Sequence, residues 1–249
     1  MSTISERAAI AEANQTRFAR LRKYPGRILS RGITPNGEEF VIQYAITARS
    51  APSQNRKLEH NHTTSSIRTT LADPKGPGSS DTRLTVYPAV AEYDNFHVVS
   101  NGTHTLKILG GEIVGMSPIE SLASESYEPD SLHTPRIWGT CTLEDGTAKV
   151  QIGSINKKVD NDDSLPQNWE YTELVPGLCY TIHTYEGDCD PPQPFYAEPY
   201  EMPIESNAPP EILRSLWEII GTEFRVCALV RTINLKTGQV STYIENRFS

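Results

Sequence analysis

Polar residues that can bind or activate a ligand stand in groups at the ends of the predicted strands. The groups are "YPGR" at 24–27, "ARSAPSQNR" at 48–56, "SNGTHT" at 100–105, "YEPDSLHTPRI" at 127–137 and "HTYEGD" at 183–188. Each group is larger than a turn needs, since Asn101-Gly102 alone can form one. Arginine forks bind two phosphate oxygens at once. The groups are therefore candidate parts of one ligand site, and the alternative is ordinary loops with solvated charges.

Two other stretches have the residue types of metal sites, but neither has the required spacing. Residues 59–62, "EHNH", lie in a predicted loop and lack a matched second pair of ligands. The stretch 160–171 begins like a calcium loop, but Leu165 stands where glycine is required and Tyr171 where the bidentate glutamate belongs. The chain also lacks the usual nucleophile, zinc-protease and nucleotide-loop fingerprints. We therefore expect neither a metal nor an organic cofactor.

Composition restricts the class of protein. The 249 residues are 37% hydrophobic, enough for a substantial core, and the net charge of −8 argues against a broad nucleic-acid surface. The four cysteines form no CxxC pair, so we expect buried thiols in a reducing compartment. We find no signal peptide and no apolar run long enough to span a bilayer. These observations predict a cytoplasmic protein without membrane contact.

The elements that must position the polar groups are mainly strands. A helix is predicted over residues 3–22, with a packing or oligomer-contact role. Hairpins are predicted about Pro35-Asn36-Gly37, about Asp145-Gly146 and over 225–248, with further strands over 83–100 and 177–187. Residues 41–48 have no fully polar face, so this strand should be covered on both sides.

The remaining segments complete the prediction. Residues 98–111 are read as a strand running into a turn, 51–81 as irregular, and 191–210 as an extended proline-rich loop. Ser117 should cap a short helix with Glu120 completing the capping box, and a second helix should start near Pro209. Because hairpins make strands antiparallel, the pattern predicts one α+β domain with helices layered on antiparallel sheet.

Taken in order along the chain, the strand-end groups resemble a known family. The stretches "YPGRIL", "ARS" followed by "NR", "VVSNGTHT", "YEPDSLHTPRI" and "TYE" resemble those of the archaeal-type IMP cyclohydrolases and their bacterial and eukaryotic relatives. The resemblance implies a four-layer αββα sandwich of two antiparallel sheets flanked by helices, similar to N-terminal-nucleophile hydrolases. It also implies that residues 1–23 are an N-terminal helical extension and that 24–249 form a single domain.

The resemblance further implies a reaction and the residues that perform it. The family closes the last purine ring: the carboxamide nitrogen of 5-formamidoimidazole-4-carboxamide ribonucleotide attacks its formyl carbon, giving IMP and water without a cofactor. Phosphate and ribose contacts are expected from Arg27, Arg49, Ser50, Asn55 and Arg56, and further nucleotide contacts from Asn101, Gly102, Thr103 and His104. Tyr93 and Glu128 are the acid–base candidates, and Arg136 would orient Glu128 or polarise the formyl oxygen.

Two alternatives remain open on the sequence alone. The same scaffold could cyclise a different amide or imine substrate in specialised metabolism, because a fold does not fix a substrate. The chain could also be a nucleotide-binding protein without catalysis. In every case the expected partner is a small molecule, in particular a purine-precursor nucleotide, rather than nucleic acid or membrane, and the protein is a possible homo-oligomer.

Overall fold

The computed structural model describes residues 3–21 and 23–248. The helices are α1 (Ile4–Leu21), α2 (Ala51–Gln54), α3 (His104–Ile113), α4 (Pro118–Ser121) and α5 (Pro209–Ile219). The first seven strands are β1 (Arg27–Ile33), β2 (Glu39–Thr47), β3 (Lys57–Asn61), β4 (Ser66–Thr70), β5 (Pro88–Tyr93), β6 (Phe96–Ser100) and β7 (Arg136–Glu144). The others are β8 (Thr147–Lys157), β9 (Ser164–Tyr171), β10 (Leu178–His183), β11 (Tyr200–Pro203), β12 (Arg225–Asn234) and β13 (Val240–Asn246).

The strands form two antiparallel sheets. The first sheet has the order β11-β10-β1-β2-β12-β13, and the second runs β3-β4-β5-β6-β7-β8-β9. The predicted hairpins β1–β2, β7–β8 and β12–β13 are confirmed. The sheets are joined along one side by Asn246, which accepts a hydrogen bond from the Leu58 backbone N–H at 2.8 Å and donates one to the Leu58 carbonyl at 3.1 Å.

The two sheets pack face to face between outer layers of helix. Between the sheets lies an apolar core that includes Leu29, Ile42 and Tyr44 of the first sheet and Ile137 and Val150 of the second. On the far side of the first sheet, α1 and α5 pack through Phe18, Ile212 and Leu216, among others. On the far side of the second sheet, α3 and α4 cover Val98 and Trp138. The predicted αββα sandwich is therefore confirmed, while its similarity to N-terminal-nucleophile hydrolases stays a prediction.

Central strands of the first sheet are covered on both faces, as expected for β2. Every residue of β1 is buried, and so is every residue of β2 after Glu39. This burial explains the nearly continuous apolar sequence of 40–48, since neither face of the strand meets water.

The N-terminal helix is confirmed over α1, and Arg22 lies outside the described residues. Phe18 of α1 is fully buried against the first sheet. The Arg7 guanidinium pairs with Glu201 of β11, and the Asn14 amide donates to the Glu201 carbonyl at 2.9 Å. The helix is thus fixed to the sheet by both apolar and polar contacts. None of the helices in the described part of the chain has the length and apolar composition needed to cross a membrane.

Several segments expected to be irregular contain regular structure. Residues 51–81 include α2, β3 and β4, residues 191–210 include β11, and the rejected calcium-like segment forms much of β9. The strands β3 and β4 are short and rich in polar residues, with Leu58, Ile67 and Thr69 as their buried side chains. Too few buried positions alternate there for periodicity to reveal a strand. Three cysteines are buried as predicted, but Cys189 is exposed.

The prediction that 98–111 runs from a strand into a turn was wrong beyond Thr103, because a helix, α3, begins at His104. Gly110 and Gly111, although glycine has a low helix propensity, both lie inside this helix. A Cβ at Gly111 would stand 1.8 Å from Ser121 Oγ, whereas one at Gly110 would meet nothing within 4 Å. Gly111 is therefore required by the close approach of α3 and α4, not by a turn.

This contrast predicts opposite effects of the same substitution at neighbouring positions. Gly111→Ala should lower the free energy of unfolding by about 1–3 kcal/mol, because α3 and α4 must separate. Gly110→Ala, the matched control, should raise it by about 0.5–1 kcal/mol through helix propensity. Urea unfolding of both variants measures the difference. Equal effects at the two positions would contradict the packing explanation.

Candidate active site

A cleft of about 890 Å³ opens where the predicted polar groups meet. This volume is in the range of small-molecule sites. Its lining residues include Tyr24, Arg27, Arg49, Ser50, Ser53, Gly78, Asp81, Arg83, Thr85, Glu128, Asp130, Thr134, Tyr185 and Asp190. Groups that end or precede strands far apart in sequence thus converge on one site, because antiparallel strands return their loops repeatedly to the same end of a sandwich. Of the candidate residues, Arg27, Arg49, Ser50 and Glu128 line this cleft.

Glu128 is a buried carboxyl in this cleft, with 2% of its surface exposed. Burial raises the pKa of Glu128 to about 7, since the charged form loses its hydration. The positive charges of Arg27 and Arg136 oppose this rise in pKa, and the neighbouring Asp130 adds to it. A carboxyl with a pKa near neutrality can both accept and release a proton, which is the property required of an acid–base catalyst.

The turn after β6 holds the Glu128 loop in place. The Asn101 amide donates to the Pro135 carbonyl at 2.9 Å and approaches Glu128 Oε1 at 3.5 Å. Its oxygen accepts from the Ile137 backbone N–H at 2.8 Å. Asn101 is fully buried, and its side chain satisfies backbone groups of the neighbouring loop and strand. The nucleotide contact predicted for this turn stays a prediction.

Arg136 and His104 form a second support on the same side. The Arg136 Nε donates to the Ser126 carbonyl at 2.7 Å and lies 3.4 Å from Glu125 Oε2. Its Nη1 lies 3.4 Å from His104 Nδ1, while His104 Nε2 donates to the Ile137 carbonyl at 3.1 Å. Burial, together with the charge of Arg136, lowers the pKa of His104 to about 3. His104 is therefore neutral, and because Arg136 donates to Nδ1, its proton is on Nε2.

Two further arginines lie in the interior beside Glu128. Arg27 belongs to the cleft lining, and Arg56 is completely buried behind it. The Arg56 Nε donates to the Ser53 carbonyl at 2.7 Å, but its two Nη atoms and the Arg27 Nε find no acceptor within residues 3–21 and 23–248. Buried charged donors without acceptors are unfavourable, so this region of the molecule is suited to an acceptor-rich ligand.

One wall of the cleft is aromatic. The rings of Tyr24 and Tyr185 stack with centroids 5.5 Å apart and an interplanar angle of 26°. The Arg49 guanidinium lies 4.3 Å above the Tyr24 ring and donates to the carbonyls of Cys189 and Asp188, both at 2.8 Å. Arg49 thus holds the 188–189 segment against the wall. The two carbonyls occupy the guanidinium donors that could otherwise bind a phosphate.

The proton positions in this wall follow from its hydrogen bonds. Thr134 Oγ1 lies 2.5 Å from Asp130 Oδ2 and 2.6 Å from the Tyr185 hydroxyl. The single Thr134 hydroxyl proton is donated to Asp130, so Tyr185 must donate to Thr134. The Tyr185 oxygen therefore has only lone pairs left for the cleft. It can accept a hydrogen bond from a ligand N–H or O–H group but cannot donate one.

Three other candidates have structural contacts of their own. Ser50 caps α2 by accepting from the Ser53 N–H at 3.4 Å. The Asn55 amide donates to the carbonyls of Asp73 at 2.8 Å and Pro77 at 3.0 Å, and thereby fixes the loop after β4. A Cβ on Gly102 would lie 3.0 Å from both Arg136 Nη1 and His104 Nδ1, so the small residue allows that pair to form. Thr103 is exposed at the start of α3.

The structure does not bring Tyr93 to the cleft. Tyr93 is 48% exposed and ends β5 at its hairpin with β6, whereas the cleft lies at the opposite ends of these strands. At ~3.3 Å per residue, β5 separates Tyr93 from that end by roughly 16 Å. The phenols that line the cleft are Tyr24 and Tyr185. Tyr87, whose hydroxyl lies 2.9 Å from that of Tyr44, interacts electrostatically with Arg27 of the lining. Tyr185 was present in the "TYE" motif, and Tyr87 directly precedes β5, so both were readable as strand-end residues.

A metal would need a different arrangement of side chains. Across the described ranges, 3–21 and 23–248, no three or more His, Cys, Asp or Glu residues are grouped to hold a metal ion. His60 and His62 of the "EHNH" stretch have ring centroids 4.2 Å apart, but they lie away from the cleft lining.

The raised pKa of Glu128 predicts how its removal affects stability. Folding raises this carboxyl from an ordinary pKa of 4.5 to about 7, so its contribution to stability is lost as the pH rises through that interval. Glu128→Gln removes this dependence. Its stability relative to the wild type should therefore increase by about 3 kcal/mol between pH 4.5 and pH 8. Urea unfolding at both pH values measures it, and a constant difference would contradict the raised pKa.

Comparison with known proteins agrees with these features. The family model described as IMP cyclohydrolase-like protein matches residues 24–238. Over 121 residues the chain is 33% identical to the IMP cyclohydrolase of Methanothrix thermoacetophila, a match that covers 47% of this chain and 56% of that relative. Over 171 residues it is 29% identical to the IMP cyclohydrolase of Methanosphaera stadtmanae, covering 66% and 74%.

The first match thus spans little more than half of that relative's length. The family match is much more extensive and begins at Tyr24, within the first of the strand-end groups. The resemblance predicted from these groups is confirmed, and the chain belongs to the IMP cyclohydrolase-like protein family.

Proposed function

We propose that this protein is an IMP cyclohydrolase, which closes 5-formamidoimidazole-4-carboxamide ribonucleotide to IMP and water. The observation that carries the proposal is Glu128, a buried carboxyl with a pKa of about 7 in a cleft of nucleotide size. The names of the two archaeal relatives support the same reaction.

The reaction needs the two proton transfers that one such carboxyl can perform. When the carboxamide nitrogen attacks the formyl carbon, one proton leaves nitrogen and one reaches the formyl oxygen, giving a carbinolamine. When the carbinolamine breaks down, a second proton leaves nitrogen and the hydroxyl departs as water. We assign both transfers to Glu128, which accepts each proton as a carboxylate and returns it as an acid. A pKa near the working pH makes both directions accessible.

Positive charge beside Glu128 suits the oxygen that becomes negative during attack. Arg27 lines the cleft and interacts electrostatically with Glu128, so its guanidinium is our candidate donor to that oxygen. Arg136 contacts His104 and the Ser126 carbonyl, so in this proposal it positions the Glu128 loop rather than touching the substrate. Arg56 lies behind Arg27 and contributes charge without lining the cleft.

The aromatic wall would orient the substrate. The Tyr24–Tyr185 stack forms a rigid part of the cleft wall, and within it the Tyr185 oxygen accepts but does not donate. A carboxamide N–H is a group that such an oxygen recognises. Holding the carboxamide and formyl groups in contact is itself a large part of catalysis, because the reaction is intramolecular.

Turnover of the purified protein tests the proposal. Wild-type protein should convert 5-formamidoimidazole-4-carboxamide ribonucleotide to IMP, and Glu128→Gln should lower kcat by about 10²–10⁴-fold because the proton carrier is lost. The pH profile of kcat/KM should rise to a plateau through an apparent pKa near 7 in the wild type, as the carboxylate form of Glu128 becomes populated. The matched control is Glu218→Gln, which removes the same charge from the exposed face of α5.

The alternatives give different results in the same assay. A folded wild-type protein that binds IMP but forms none from the substrate would support the nucleotide-binding alternative. A protein that neither binds IMP nor turns over would favour a cyclase of a different amide or imine. Retention of full activity in Glu128→Gln would refute the role of that carboxyl while leaving the reaction in place.

A further inference from the structure

We propose that Arg83, at the mouth of the cleft, binds the phosphate of the nucleotide and exchanges its present partner, Asp81, for that phosphate. This inference rests on the proposed function and adds a phosphate-specificity residue to it. It concerns a loop, 78–85, that none of the strand-end motifs includes.

The loop is part of the cleft and not a separate surface. Gly78, Asp81, Arg83 and Thr85 all belong to the cleft lining. A Cβ on Gly78 would lie 2.7 Å from Pro52 Cβ, so the start of this loop packs directly on α2, which begins just after Ser50. The loop and α2 therefore form adjoining parts of the same mouth.

Arg83 already has the geometry of anion recognition. Its Nε donates to Asp81 Oδ1 at 3.0 Å, and its Nη2 donates to Asp81 Oδ2 at 2.7 Å. This two-point contact is the one that a guanidinium makes with two phosphate oxygens. The Asp81 carboxylate thus occupies the place that a phosphate would take.

The pair is also easy to separate. The side chains of Arg83 and Asp81 are 87% and 57% exposed, and exposed ion pairs of this kind contribute little to stability. The hydrogen bond from Arg83 lowers the pKa of Asp81 to about 2. Asp81 is therefore anionic at any assay pH and competes with other anions for Arg83. A phosphate dianion carries the greater charge and would displace it.

The other arginines of the site are less suited to a phosphate. Arg49 already donates to two backbone carbonyls, and Arg56 is fully buried behind the cleft. Arg27 lies next to Glu128, where a dianion would meet a nearby carboxyl and would lose most of its hydration. A phosphate bound at the mouth would stay partly hydrated. The uncharged carboxamide and formyl groups would then occupy the interior of the cleft.

Steady-state kinetics of charge variants test the exchange. Arg83→Gln should raise KM for 5-formamidoimidazole-4-carboxamide ribonucleotide by about tenfold, with the effect on KM rather than on kcat, because a charge-assisted contact is lost from binding. Asp81→Asn should lower KM by about two- to fivefold, since it removes the competing anion. The matched controls are Arg214→Gln on the exposed face of α5 and Asp163→Asn in the exposed pair with Lys158.

Equilibrium binding separates this inference from the proposed function. Calorimetric titration with IMP and with inosine measures the phosphate preference without any turnover. The wild type should prefer IMP, and the preference should fall by about tenfold in Arg83→Gln. An absence of turnover in the wild type would refute the cyclohydrolase activity, whereas this ratio would still test Arg83.

Two results would overturn the inference. The first is an unchanged KM and an unchanged IMP-to-inosine ratio in Arg83→Gln. The second is a higher KM in Asp81→Asn, because Asp81 would then support Arg83 instead of competing with the phosphate. Circular dichroism of each variant verifies folding, which exposed substitutions of this kind should leave intact.

Discussion

The site depends on one unfavourable condition, the burial of the Glu128 carboxyl. Water would hold its pKa near 4.5, and the removal of water raises it to about 7. The surroundings make that burial tolerable without cancelling its effect. Asn101 approaches the carboxyl at 3.5 Å, and the charges of Arg27 and Arg136 partly offset the lost hydration. A shorter ion pair would return the pKa to its ordinary range, and a wholly apolar pocket would prevent ionisation at neutral pH.

The sandwich architecture provides this environment. β1, β2 and β7 are central strands, and their ends bring Arg27, Arg49 and the loop before Arg136 to the same region. The apolar core between the sheets excludes water from beneath the site. Helices α1, α3, α4 and α5 stay on the outer faces, so they stabilise the sheets without covering the cleft.

Residues of the polar motifs divide into those that line the cleft and those that hold its surroundings in place. Glu128, Arg27 and Tyr185 face the cleft, whereas Asn101 and His104 are buried and hydrogen-bonded to backbone groups. Both classes are polar residues at strand ends, so residue type and position in the sequence do not distinguish them. A motif can therefore mark the cleft while several of its residues lie outside the cleft lining.

The sequence by itself determined the hairpins and the α+β class, because turn chemistry and strand burial are local properties. The order of its motifs identified the family, and the αββα layering followed from that resemblance. The sequence also placed Glu128 and Arg27 in a common site. It did not reveal β3, β4 or α3, whose patterns were weak or interrupted by Gly110 and Gly111. Only the tertiary structure decided that Tyr93 lies remote from the cleft, that Asn55 holds a loop and that Arg83 reaches the mouth. Exposure, hydrogen-bond partners and pKa depend on neighbours distant in the chain, and local patterns along the sequence do not reveal which residues those are.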